Sequence, residues 1–210
     1  MVNPSPSPSP WSSAAERERE RAAKREAVLR TAARLFNAKG YHATSLDEVA
    51  TALGVTKPTI YHYFANKDEI LFECTRRGLD AIVEAARRVS ERGGSGADRL
   101  RALLTAYALC MLDDYGICVV RTHDSQLAPE SRGRFRALKR EIDLHIRQVI
   151  VAGVEDGSLR VRDVRIAAFT TASALNGLGG WFRPDGALSA AETAELAVAG
   201  LMDGLRGARG

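Results

Sequence analysis

Apolar residues recur at spacings of three and four along most of the chain, and no stretch alternates strictly between apolar and polar positions. The first pattern is typical of amphipathic helices, and the second would be needed for half-buried strands. Long or medium helices are predicted over 14–39, 67–92, 97–113, 117–127, 129–154, 163–178 and 189–206. Two short helices lie within 44–67, so the predicted fold class is all-α with about nine helices.

The two short helices are separated by a glycine-centred turn. Ser45 and Glu48 have the spacing of a capping box at the start of the first helix, and Gly54 suits the left-handed position after its end. Pro58 fits the first turn of the second helix, which Thr56 can cap. Ile60 and Phe64 are predicted to pack inward. This arrangement predicts a helix-turn-helix.

The residues left exposed on the second short helix carry hydroxyls, aromatic rings and a lysine. The sequence has no acidic residue between Glu48 and Asp68, while Lys57 and Lys67 lie within that run or at its end. Hydroxyl and ammonium groups donate hydrogen bonds to phosphates and base edges, and carboxylates would repel the duplex. The stretch is therefore predicted to bind double-stranded DNA.

Global composition adds little to this prediction. The 210 residues include 45% hydrophobic and 27% charged residues with a net charge of +4, which is ordinary for a globular protein and permits nucleic-acid binding. The sequence contains no long apolar run, so no membrane span is predicted. Residues 1–13 are expected to form a disordered Pro/Ser tail, 14–66 the DNA-binding domain and 67–210 a ligand-binding and dimerisation domain.

Three cysteines, Cys74, Cys110 and Cys118, show no CxxC spacing. A disulfide framework or a metal site is not predicted, and a reducing cytoplasm fits this usage. The thiols are interpreted as small buried hydrophobes, with a redox-sensing thiol as the alternative. On the first long helix, Arg17, Arg21 and Arg25 fall four residues apart. They form either a solvated, salt-bridged face or a stripe that contacts phosphates.

Residues 26–72 resemble the DNA-binding domain of TetR-family transcriptional regulators. The resemblance is carried by Leu35-Phe36, Gly40-Tyr41, Thr44-Ser45, Val49-Ala50, Leu53-Gly54-Val55, Thr59-Ile60-Tyr61-His62-Tyr63-Phe64, Lys67 and Leu71. It implies a homodimer with one helix-turn-helix per subunit, bound to a palindromic operator. It also implies a C-terminal domain that holds a small effector and, when occupied, moves the two DNA-binding domains apart. Repression is the common mode of that family.

The resemblance implies nine DNA-contacting residues, namely Thr44, Ser45, Thr56, Lys57, Thr59, Tyr61, His62, Tyr63 and Lys67. By chemistry, Thr44, Ser45, Tyr61 and Lys67 suit phosphate oxygens. Lys57, Thr59 and Tyr63 are better suited to base edges. For Tyr61 the alternative is ordinary packing on the neighbouring helix.

The segment from Asn176 to Ser189 contains Trp181-Phe182-Arg183-Pro184-Asp185-Gly186. It resembles a loop between the last two helices in a group of TetR-like regulators that govern lipid catabolism, which implies an acyl-CoA thioester as effector. A pocket between helices is expected to hold it. The residues proposed to contact it are Tyr107, His123, Gln126, Arg134, Asn176 and Trp181. The basic run Arg132, Arg134, Arg136, Lys139 and Arg140 either binds effector phosphates or is a solvated face.

The last two helices are rich in small and apolar residues and are predicted to form the dimer interface. The interface residues proposed are Ala168, Thr171, Ala172, Leu175, Leu196, Leu201, Met202 and Leu205. The alternative is that these residues form an intramolecular core. Gly116 and the segment 179–186 are expected to interrupt the helices as a turn and a loop.

Two other functions compete with this one. A repressor of an efflux or detoxification operon that senses drugs would have the same fold. An enzyme is disfavoured because the sequence contains no GxSxG, HExxH, P-loop or strand-linked GxGxxG motif. No cofactor is predicted.

Overall fold

The computed structural model describes residues 13–206, and within that range it contains nine α-helices, one 3-10 turn and no strand. The prediction of an all-α protein is confirmed. The elements are α1 Ala14–Lys39, α2 Leu46–Ala52, α3 Lys57–Tyr61, α4 Lys67–Ser90, α5 Gly96–Met111, α6 Asp114–Arg121, η1 Asp124–Gln126, α7 Pro129–Glu155, α8 Val164–Trp181 and α9 Ala190–Arg206.

The predicted capping box of α2 is present. The Ser45 hydroxyl accepts from the Glu48 N–H at 3.1 Å, and the Glu48 carboxylate accepts from the Ser45 N–H at 2.8 Å. Gly54 adopts φ +66°, a conformation that side chains disfavour, so the turn between α2 and α3 requires glycine. Thr56 occupies the N-cap position of α3 without a side-chain capping bond.

One continuous hydrophobic cluster runs from Val28 in α1 to Met202 in α9. Helix α5 lies in its centre and packs against α4, α6, α7, α8 and α9. Helix α4 packs against α1 on one side and against α5, α6 and α7 on the other. The predicted division between 14–66 and 67–210 remains a prediction, and α4 is the element that joins the two parts.

Two predicted interruptions are wrong for a steric reason. Gly116 lies inside α6 and not at a turn, and a Cβ atom there would come within 1.9 Å of the Cys110 carbonyl oxygen. Gly179 lies inside α8, where a Cβ atom would come within 2.8 Å of the Met111 carbonyl oxygen. Both glycines therefore serve close helix packing, and α8 continues to Trp181.

The predicted Pro/Ser tail, residues 1–13, lies outside the described residues except for Ser13. Ser13 forms a capping box with Glu16 and so belongs to the start of α1. Within residues 13–206 no single helix is long and apolar enough to cross a membrane; α5 and α6, bent by 84°, meet that test of length and composition only as a pair.

Candidate DNA-binding surface and effector cavity

Helix α3, here called the recognition helix, has one buried apolar face and one exposed polar face. Ile60 and the following Phe64 are fully buried, as predicted. Lys57, Thr59 and His62 are exposed, and Tyr61 is 49% exposed, which excludes full packing of its ring on a neighbour. The apolar face thus holds the helix on the hydrophobic cluster while its polar face remains free for a ligand.

All three predicted DNA-contacting threonines form hydrogen bonds within the chain. Thr44 is buried, and its hydroxyl donates to the Gly40 carbonyl oxygen at 2.9 Å. That hydroxyl is not available to a phosphate, which corrects the prediction, because it satisfies the chain reversal between α1 and α2. The Thr56 and Thr59 hydroxyls share a hydrogen bond at 3.0 Å on the exposed side of α3.

The sequence between Glu48 and Asp68 contains no acidic residue, but the fold places an acidic side chain beside it. The Lys57 ammonium lies 2.8 Å from the Asp47 carboxylate, which comes from α2. This hydrogen bond raises the pKa of Lys57. The two charges, ten positions apart in the sequence, come together because α2 and α3 pack as a pair.

Two other cations near the recognition helix, Lys67 and Arg25, also have partners within the chain. The Lys67 ammonium lies 4.3 Å from the centre of the Tyr41 ring, and partial burial lowers its pKa. Arg25 donates to the Tyr63 carbonyl oxygen at 3.0 Å and stacks 4.2 Å from the Phe64 ring. Arg25 therefore holds the end of the recognition helix in place.

Lys67 provides the first test of this surface. Lys67→Ala is expected to weaken binding to all duplex sequences alike and to lower the dependence of log K on log salt by about one. The reason is that an ammonium on phosphate releases counterions without reading sequence. Titration at several salt concentrations measures this, with Lys67→Arg as the charge-preserving control. A loss of affinity with an unchanged salt slope would remove the phosphate role.

A cavity of about 260 Å³ lies between α4, α5, α6, α7 and α8. Of the predicted effector residues it contains Tyr107 and Asn176, whose side chains hydrogen-bond at 3.0 Å. Burial raises the pKa of Tyr107 to about 12, so its hydroxyl is neutral and donates to the side-chain amide oxygen of Asn176. The apolar lining, which sequence periodicity could not assign to a cavity, includes Leu79, Val119, Val120, Ile142, Ile146 and Phe169.

The other four predicted effector residues do not reach this cavity. His123 is exposed, and its backbone N–H donates to the Gln126 side chain at 2.7 Å. The Arg134 guanidinium covers the Phe72 ring at 4.8 Å, and Trp181 is exposed at the end of α8. Their positions follow from tertiary packing and had no signal in the sequence.

The cavity opens beside a basic hollow of about 470 Å³. Lys139, Asp143 and Phe169 border both spaces, and Arg136 and Arg140 border the hollow alone. The positive side chains belong to the basic run noted in the sequence. Arg136 is paired with Asp124 in the 3-10 turn that follows α6.

Helix α6 connects the cavity wall to the DNA-binding part. Val119 and Val120 line the cavity, while the start of α6 is bound to α1. Arg34 pairs with Asp114 at 2.8 Å, and the Asn37 amide donates to the Asp114 carbonyl oxygen at 2.8 Å. A displacement of α6 must therefore move or break its contacts with α1.

Four of the eight predicted dimer residues are buried within their own chain. Ala168, Thr171, Leu175 and Met202 are at most 2% exposed, so the prediction is corrected for these four. Their stripe covers the cluster around α5. Ala172 lines the cavity between α4 and α8, and Leu201 and Leu205 border a groove between α8 and α9.

A different set of α8 and α9 side chains faces outward. Leu196 and Ile166 are each 61% exposed, and Trp181 is exposed as well. The groove of about 460 Å³ between the helices includes Ile166, Thr170 and Gly200. We call these five residues the α8–α9 face. Exposed apolar side chains grouped on two neighbouring helices are typical of an interaction site.

The cysteines behave as packing residues. Cys74 and Cys118 are buried, and Cys110 is partly buried. Burial raises the pKa of Cys74 and raises that of Cys110 to about 12, so both thiols stay protonated. Among the described residues, no group of three or more His, Cys, Asp or Glu side chains is placed to hold a metal.

A capped helix-turn-helix on a helical body with an internal cavity defines a DNA-binding regulator of the helix-turn-helix class. A family model described as bacterial regulatory proteins of the tetR family matches residues 28–74. A second, described as a tetracyclin repressor-like C-terminal domain, matches residues 93–205, more than half of the chain. The chain belongs to the TetR family of transcriptional regulators.

Individual relatives agree over nearly the whole chain. The crystal structure of the TetR-family regulator PfmR from Thermus thermophilus has a TM-score of 0.75 and 34% identity, covering 83% of this chain and 96% of that one. The transcriptional repressor KstR2 from Rhodococcus jostii is 27% identical over 191 residues, 88% of this chain and 92% of the relative. AibR in complex with isovaleryl coenzyme A and operator DNA has a TM-score of 0.74 and 28% identity, covering 87% and 98%.

Proposed function

We propose that the protein is a cytoplasmic, homodimeric repressor that binds a palindromic operator and is released by an acyl-CoA thioester. The observation that carries the effector class is an apolar cavity whose mouth adjoins a basic hollow. An acyl chain needs the first, and the phosphates of coenzyme A need the second. The isovaleryl coenzyme A bound to the similar regulator AibR supports the same class.

The cavity size narrows the effector. The cavity has a volume of about 260 Å³ and is closed in by side chains of five helices. A short or medium acyl chain therefore suits the cavity better than a long one. Arg136, Lys139 and Arg140 border the hollow at its mouth, where a phosphate-bearing tail would emerge.

Release is proposed to pass through α6. An acyl chain in contact with Val119 and Val120 displaces α6, and the contacts of Asp114 with Arg34 and Asn37 transmit that displacement to α1. Since α1 packs against α2 and α4, the recognition helix changes position without touching the effector. Two recognition helices must meet successive major grooves about 34–36 Å apart, so a small change in their separation prevents simultaneous binding.

A mobility-shift titration tests the effector. Acyl-CoA thioesters of short and medium chain length are expected to release the protein from its own upstream DNA, whereas coenzyme A and the free acids are not. Neutralising Arg136, Lys139 and Arg140 with glutamine should raise the thioester concentration needed for release by about tenfold or more, since hydrogen bonds to charged groups contribute about 1.5–3 kcal/mol each.

Two controls sharpen that titration. Glutamine at Arg87, Arg88 and Arg92 removes the same charge from an exposed part of the chain outside the cavity and hollow, and should leave release unchanged. Release by unrelated hydrophobic cations, with no response to thioesters, would instead identify a drug-sensing repressor.

A further inference from the structure

The ion pair between Asp47 and Lys57 places a carboxylate on the helix-turn-helix, where negative charge opposes DNA binding. It joins the first turn of α2 to the first residue of the recognition helix, and its N–O distance is 2.8 Å. Both side chains are exposed, at 65% and 43%. A carboxylate thus stands on the surface that meets the negatively charged duplex.

The pair has little to contribute to folding. An exposed ion pair adds little to stability, because water screens the charges and holding two side chains together costs entropy. The neighbouring acids have structural partners, since Glu48 accepts from the Ser45 N–H and Glu69 from the Ala65 N–H. In the part of the chain that the structure describes, the hydrogen-bond partner of the Asp47 carboxylate is Lys57.

We infer that Asp47 is a specificity-determining residue, whose carboxylate holds the Lys57 ammonium in one position and keeps it from pairing with any phosphate within reach. Lysine is a point charge on a long, flexible side chain, so an untethered Lys57 would find a phosphate on any sequence. A tethered ammonium keeps two N–H donors for a base edge such as guanine O6 or N7.

The carboxylate also discriminates by repulsion. A like charge placed against the phosphate backbone weakens every complex in which Lys57 has no compensating contact. On the operator, the base contact of Lys57 offsets that repulsion, whereas on other sequences nothing does. Asp47 should therefore lower the affinity for non-operator DNA more than the affinity for the operator.

The other exposed side chains of the recognition helix carry no charge, so the pairing of Lys57 with Asp47 has a large effect on how this helix binds DNA. Its exposed side chains other than Lys57 are neutral hydroxyls and rings. Two nearby cations belong to other helices and have their own partners, Lys67 on the Tyr41 ring and Arg25 on the Tyr63 carbonyl oxygen. Lys57 is thus the charged side chain on α3, and its mobility determines whether its ammonium contacts a base or a phosphate.

The test is Asp47→Asn, which keeps the shape and removes the charge. Operators are selected from random duplexes with each protein, and affinities are measured for the selected operator and for a scrambled duplex. We expect affinity for the scrambled duplex to rise about threefold to tenfold and operator affinity to change less than about twofold. The preference at one base position should weaken.

Three further variants make the result decisive. Lys57→Gln should relax the same base position, and adding Asp47→Asn to it should relax no position further. Glu20→Gln removes an equally exposed carboxylate that pairs with Lys24 on α1, and it should leave the ratio of operator to scrambled affinity unchanged. An equal rise of both affinities in Asp47→Asn, with an unchanged selected sequence, would show that Asp47 acts only through net charge and would overturn the inference. The inference rests on DNA binding alone, and no effector enters the test.

Discussion

Leu196→Glu is expected to convert the proposed dimer to a monomer and to weaken operator binding by about a hundredfold or more. Leu196 is 61% exposed on the α8–α9 face, on the same helix as Gly200, which borders the groove. Burial of one leucine side chain stabilises an interface by about 1.5–3 kcal/mol, and in a symmetric dimer each subunit buries one such leucine.

The substitution does more than remove this burial. A glutamate from each subunit would enter the interface, and an unpaired buried carboxylate costs several kcal/mol. Operator binding falls with the dimer because the second half-site contact is no longer intramolecular, and such linkage is worth about 10²–10⁴ in affinity. Sedimentation at micromolar concentration and a titration against the full operator measure the two effects.

Leu144→Glu is the matched control. Leu144 is 57% exposed on α7 and so lies outside the two helices of the α8–α9 face. Its replacement adds the same charge and should leave both the molecular mass and the operator affinity unchanged. A Leu196→Glu protein that remains dimeric would place the interface elsewhere.

Phe64→Ala is expected to destabilise the DNA-binding part by about 3–5 kcal/mol. The ring is 1% exposed, just beyond α3, and closes the core beneath the recognition helix. Its face also carries the Arg25 guanidinium at 4.2 Å, and that guanidinium holds the Tyr63 carbonyl oxygen. Removing the ring therefore leaves a cavity in the core. It also removes the support for Arg25, which holds the end of the recognition helix.

Denaturant unfolding monitored by circular dichroism gives the free energy, and hydrogen exchange locates the loss in α2 and α3. Tyr61→Ala is the control, since Tyr61 lies three residues earlier but is 49% exposed. It should change stability by no more than about 0.5 kcal/mol while weakening DNA binding. Equal stability of Phe64→Ala and wild type would contradict the packing role of the ring.

Much of the DNA-binding unit was predictable from sequence because its determinants are local. The Ser45–Glu48 capping box, Gly54 in the turn and buried Ile60 all depend on residues within a few positions of one another. Helix spacing and caps are encoded at that range. The α1 and α7 boundaries were likewise predicted to within about a residue, because charged, proline and glycine signals flank them.

The sequence-based predictions that are wrong share a different cause. Gly116 and Gly179 were expected to interrupt helices, yet each lies where another backbone approaches too closely for a side chain. Thr44 was expected on DNA but is buried beneath the turn it supports. In each case the residue type was informative, and its reason lay in the packing of the folded chain.

The sequence by itself determined the helical class, the helix-turn-helix and the residues that its recognition helix exposes, since periodicity and capping act over a few residues. Only the tertiary structure decided which stripe of α8 and α9 faces inward, because periodicity identifies an apolar face without naming what covers it. It also decided that Asp47 meets Lys57, which no count of charges along the chain reveals. The cavity and its basic mouth arise from five helices together, so their lining exists only once those helices have packed.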